Sequence, residues 1–131
     1  MAKTNYLEEA LLDHVLRNTA YTSPTTVYVA LYSAAPGEAG GGTELTGNGY
    51  ARQAITFGAP AQDGGVGRVT NSAEILFPEA TDDWLEATHF AILDADTAGN
   101  MLYYEALGAP RTAALGDQIR FQVGALAVTE S

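Results

Sequence analysis

Apolar residues near the start of the chain recur at helical spacing. Leu7, Ala10, Leu11, His14 and Val15 fall on one side of a 3.6-residue turn, and Glu8 stands three residues after Asn5, the spacing of a capping box. This predicts a short amphipathic helix over residues 5–17, with Asn18 suited to a left-handed terminator and Tyr21 to Pro24 breaking the pattern. From Thr26 the period becomes two. Thr26 to Ser33 is rich in β-branched and aromatic residues on both alternating faces, which predicts a central strand covered on both sides. Residues 35–49 hold six glycines and a proline and have little to bury, so a long mobile loop is expected there. Tyr50 to Phe57 alternates again, with Ala51, Ile55 and Phe57 on one face and Arg52, Ala54 and Thr56 on the other.

Shorter extended segments follow. After the turn residues 60–65 come Val66–Thr70 and Ser72–Phe77, the second closed by Pro78. Thr88–Asp94 and Asn100–Leu107 flank a connection in which Gly99 supplies the positive φ of a hairpin. A last stretch, Gln118–Val128, is interrupted by Gly124, a bulge or crossing point. Short strands with frequent turns and no βαβ rhythm point to a mainly β chain. The expectation is a single domain over residues 1–131, an antiparallel, jelly-roll-like β-sandwich with a short N-terminal helix.

Charge narrows the functions open to such a fold. Sixteen acidic residues against six Lys and Arg give a net charge of −10, which repels phosphate backbones and anionic lipid. The six cations are scattered, so neither nucleic acid nor a membrane surface is an expected partner. With no cysteine, disulfides, thiolate metal sites and thiol nucleophiles are excluded. The chain has no secretory h-region and no run of about 18 apolar residues, so synthesis in the cytoplasm of a host cell is expected, without export or membrane spanning.

No motif brings His14 or His89 to a nucleophile, and no cofactor loop is present, so neither a catalytic residue nor a cofactor is expected. One metal pattern deserves weighing: Asp94, Asp96, Gly99 and Glu105 occupy the first, third, sixth and twelfth positions of a calcium loop. Ala98 fails the fifth, however, and the flanks read as strands where helices are required. Asp82, Asp83 and Glu86 cluster around Trp84 in a way that suits a solvated connection with one aromatic anchor. A sugar-binding β-sandwich is the alternative class, with Trp84 as the single tryptophan available to stack on a sugar ring. Assembly contacts are expected where the chain is least able to bury itself. These are the helix, through Leu7 and Leu11, and the residues that leave the glycine-rich loop, Tyr50 and Arg52.

Several segments together resemble a known family. They are Tyr6 to Leu16, Val27 to Tyr32, the run Gly47-Asn48-Gly49-Tyr50-Ala51-Arg52-Gln53, Asn71 to Pro78, the Trp84 and Thr88-His89 region, the Gly99 hairpin and Gly116 to Gly124. In these the chain resembles small virion structural proteins of tailed bacteriophages, of the tail-fibre-like or capsid-decoration β-sandwich type. The resemblance implies a non-enzymatic protein on the particle exterior, made in the host bacterium. Its partners would be the major capsid protein or tail proteins together with copies of itself, a trimer being the favoured homo-oligomer. It also implies that Arg52 forks to a neighbour's carboxylate.

Overall fold

A strand that is apolar on both alternating faces needs cover on both sides, and the fold supplies it. In the computed structural model, which describes residues 2–131, the chain runs β1 (Ala2–Lys3), α1 (Asn5–Leu16), β2 (Val27–Ala34), β3 (Thr43–Glu44), β4 (Gln53–Ile55), β5 (Ala61–Asp63), β6 (Val66–Thr70), β7 (Ile75–Leu76), β8 (Ala87–Leu93), β9 (Met101–Arg111), β10 (Arg120–Phe121) and β11 (Ala127–Glu130). All named strand pairs are antiparallel. Six strands form the main sheet, in the order β1-β9-β8-β2-β3 with β4 also on β2; β11-β6-β5 and β10-β7 form two smaller sheets.

Alternation along the main sheet separates two apolar layers. Val29 and Leu31 of β2 and Phe90 and Ile92 of β8 face Ile75, Phe121 and Val128 from the smaller sheets, and with Phe77 and Trp84 they make the main core. Their neighbours Ala30, Tyr32, Ala91, Leu93 and Met101 form a second cluster. Ala30 and Ala91 sit opposite each other in the ladder, and neither is exposed. The protein is therefore mainly β, an antiparallel β-sandwich with one short N-terminal helix.

Thr4, rather than the expected Asn5, caps the helix, because it is the residue that the sheet holds in place. The ladder pairs Ile92 with Tyr103 but Leu93 with Met101, leaving Leu102 as an extra residue in a bulge. Thr4 is 2% exposed. Its amide donates to the Leu102 carbonyl at 3.0 Å, its hydroxyl donates to the Met101 carbonyl at 2.5 Å, and the same hydroxyl accepts from the Leu7 amide at 3.4 Å. The helix ends at Leu16, one residue before the expected Arg17, and Asn18 takes the left-handed conformation at φ 56°.

Residues 35–49 were expected to be a mobile loop, yet they are pinned at several points. β3 pairs with β2, Leu45 is buried, its amide donates to the Leu31 carbonyl, and Asn5 donates to the Glu38 carbonyl. The glycines serve close approach: a Cβ on Gly42 would stand 2.7 Å from Pro36 Cα. Residues 60–65, expected as a plain turn, include β5, which folds onto β6 through Gly64 and Gly65, both at positive φ as a tight hairpin requires. The Gln118–Val128 stretch divides into β10 and β11, which belong to different sheets, and Gly124 lies between them at φ 80°. Asn71 bridges that division. It is 1% exposed; its side-chain amide donates to the carbonyls of Ala73 and Gln122, and its side-chain oxygen accepts from the Leu126 amide, each at 2.9 Å.

Candidate functional site

The residues singled out in the Gly47–Gln53 run converge, but they converge inward. Arg52 donates from Nε and Nη2 to the two carboxylate oxygens of Glu44, both at 2.9 Å, and from Nη1 to the carbonyls of Ala95 at 2.9 Å and Ala98 at 2.8 Å. The Tyr50 hydroxyl donates to Glu44 Oε2 at 2.9 Å and accepts from the Leu31 amide at 3.0 Å. That amide lies on β2 between the residues paired with β3 and those paired with β4. The phenol therefore fills a gap in the ladder. The Tyr50 ring stacks on Phe77 with centroids 6.1 Å apart and meets Trp84 edge-on at 5.5 Å.

The rest of the run has a matching role. Gly47, Asn48 and Gly49 all take positive φ, and a Cβ on Gly49 would come within 2.8 Å of the Glu79 carbonyl oxygen. The Asn48 carbonyl accepts from Trp84 Nε1 at 2.7 Å and from the Thr81 amide at 2.9 Å. Tyr50 and Arg52 were expected to meet a neighbouring protein. Within the chain, the Arg52 side chain is 9% exposed, its carboxylate partner is Glu44, and the Tyr50 ring lies against the core.

Burial pushes the Tyr50 phenol well above its ordinary range; the Leu31 amide opposes the shift and Glu44 adds to it. Burial and then Glu44 push Tyr32 up to about 12, and burial with Glu130 raises Tyr103. In the unfolded chain these phenols ionise near pH 10. Their neutral forms therefore contribute stability that is complete below about pH 10 and is lost as pH rises toward the folded values. The urea midpoint should fall steeply above about pH 10, with phenolate absorbance lagging that of a tyrosine peptide until the chain unfolds. Ordinary titration of all seven tyrosines without loss of stability would contradict this.

The remaining sequence candidates are held locally. The Asp94 carboxylate accepts from the amide and side-chain nitrogen of Asn100 at 2.7 and 3.0 Å, bracing the β8–β9 turn. Asp96 is exposed at the tip of that turn, and Glu105 lies down the ladder opposite Phe90, so the three suggested calcium ligands are not brought together. Among the described residues no group of three or more His, Asp or Glu has the geometry to hold a metal. His14 Nδ1 accepts from the Tyr21 amide, and His89 Nδ1 lies 2.9 Å from the Thr88 hydroxyl. Asp82 and Asp83 brace backbone amides of Asp83 and Leu115. Trp84, expected as the aromatic anchor of that connection and, in the alternative reading, as a sugar platform, is 7% exposed and stands edge-on to Tyr50.

Leu7 is 4% exposed and belongs to the chain's own interior, and Leu11 is half-buried. Leu12, Val15 and Leu16 are instead exposed, at 59%, 72% and 74%. Their i, i+3, i+4 spacing marks a second apolar stripe that was visible in the sequence, but the stripe carrying Leu7 and Leu11 competed with it.

Among curated proteins no match to the chain is found. A family profile does match. It is described as Podophage GP4 fiber I protein gp80 and covers residues 2–129. Since that span is nearly the whole sandwich, the chain belongs to this family of phage fibre proteins and is a structural component of the virion.

Proposed function

We propose that the chain is a non-enzymatic module of a phage tail fibre that works by packing against neighbouring virion proteins and against copies of itself. The family match over residues 2–129 carries this reading. The fate of the reactive side chains supports it. Glu44, Tyr50 and Arg52, the strongest polar constellation, are engaged with one another and with backbone groups, which holds loops together and leaves no poised acid, base or nucleophile. The exposed stripe of α1 supplies an apolar surface for assembly.

Immunogold labelling of purified virions with an antibody to this chain tests the location. Gold at the fibres, in a few to a few dozen copies per particle by densitometry, is the expected result. Gold spread over the capsid shell in hundreds of copies would replace the fibre reading with capsid decoration. Absence from virions would overturn both.

A further inference from the structure

Asparagine followed by glycine, a chemically reactive pair, occurs once in the chain, at Asn48-Gly49; the other four asparagines precede Tyr6, Thr19, Ser72 and Met101. Glycine has no Cβ to shield its amide from a neighbouring side chain. Asn48 and Gly49 are both exposed, yet the fold requires this pair. Asn48 stands at φ 53°, which asparagine tolerates better than most side chains, and Gly49 at φ 86°, where a Cβ would come within 2.8 Å of the Glu79 carbonyl oxygen. A bulkier residue that would shield the amide has no room there.

In the closed loop the pair is held on both sides. The Asn48 side-chain nitrogen donates to the Asp83 carbonyl at 3.1 Å, the Asn48 carbonyl accepts from Trp84 Nε1 and from the Thr81 amide, and the Tyr50 amide donates to the Gly47 carbonyl at 3.0 Å. We infer that Asn48 is a site of spontaneous deamidation, restrained by these bonds and released when residues 47–50 open. The Gly49 nitrogen attacks Asn48 Cγ, the Cγ–Nδ2 bond breaks, and ammonia leaves with the proton from the Gly49 nitrogen, closing a cyclic imide. Water then adds to either imide carbonyl and breaks its bond to the Gly49 nitrogen, which gives aspartate or isoaspartate. The leaving nitrogen is the one bonded to Asp83, and the attacking nitrogen lies inside the turn that Tyr50 and Gly47 close. The folded loop therefore opposes the first step from both sides.

Neither product restores the seat. Aspartate has no donor for the Asp83 carbonyl and adds negative charge to a chain already at −10. Isoaspartate routes the main chain through Cβ and Cγ, which displaces the carbonyl that Trp84 and Thr81 bond and lengthens the path to Tyr50, whose hydroxyl fills the β2 ladder at Leu31. A loop that reacts while open cannot close as before. This chemistry is independent of the fibre reading, because it needs only the folded chain and water.

Peptide mapping by mass spectrometry tests it, on the purified full chain sampled over time in mildly alkaline buffer with and without denaturing guanidinium chloride. In the denatured sample Asn48 should convert before any other asparagine. In the folded sample the same conversion should run at least about tenfold slower, the ratio reporting the free energy of opening the loop. Asn48→Asp, made as the permanent product, should melt at a lower temperature than the wild type. Equal rates in the folded and denatured samples, faster conversion at another asparagine, or an unchanged melt for Asn48→Asp would each overturn the proposal.

Discussion

Replacing Arg52 with methionine should destabilise the protein by about 3 kcal/mol, because it removes one member of a largely buried ion pair and leaves the other without its partner. Methionine keeps much of the apolar stem, so the loss reports on the guanidinium. That group makes two bonds to Glu44 and one each to the carbonyls of Ala95 and Ala98, joining β3 to the turn between β8 and β9. With Glu44 25% exposed, water recovers part of the carboxylate's solvation, so the lower end of the range for buried pairs applies. Urea denaturation of Arg52→Met, of Glu44→Gln and of the double variant should give a coupling energy above about 1 kcal/mol. A loss below about 1 kcal/mol in Arg52→Met would mean that the cluster is a surface pair and not a structural clamp.

Asn71→Ala should cost about 3 kcal/mol by a different route. No charge is involved. The side chain bonds two carbonyls and one amide in a site that is 1% exposed; alanine removes all three bonds, and of the three groups the Gln122 carbonyl keeps its bond from the Ala125 amide. The backbone of Asn71 also donates to the Leu126 carbonyl and accepts from the Gly124 amide, so the side chain locks a junction that the main chain already outlines. Asn71→Asp separates shape from chemistry: it retains an acceptor for Leu126 but faces the carbonyls of Ala73 and Gln122 with negative charge. It should be at least as unstable as Asn71→Ala at neutral pH. Near-wild-type urea midpoints for both variants would show that water substitutes freely for the amide.

The parts of the fold that were readable in the sequence are those whose signal is local. β6 has the expected bounds, β2 follows from its two apolar faces, and the β8–β9 hairpin from Gly99, where a Cβ would meet Asp94 Oδ1 at 2.6 Å. The short strands β1, β3 and β5 were missed because two or three residues carry no period, and their pairing depends on distant partners. The glycine-rich loop was misread for a similar reason: two of its anchors, Asn5 and Trp84, lie more than 30 residues from the groups they hold. At Tyr50 and Arg52 the chemistry was legible but its direction was not. Alternation shows that two residues share a face or differ in face, not which face the rest of the chain covers. The carboxylate expected from a neighbour was eight residues away.

The bulge at Leu102 has a consequence for the order in which the fold can close. The Thr4 hydroxyl bonds to the carbonyl of Met101, a sequence separation of 97 residues. Until β9 has left the ribosome, the first strand has no ladder to join and the helix no sheet to rest on. The β8–β9 hairpin, by contrast, needs only its own short turn and is free to form at once. The N-terminal segment is therefore made early and seated late, so the same residues that present the apolar stripe spend the longest interval of synthesis without a place to bury Leu7.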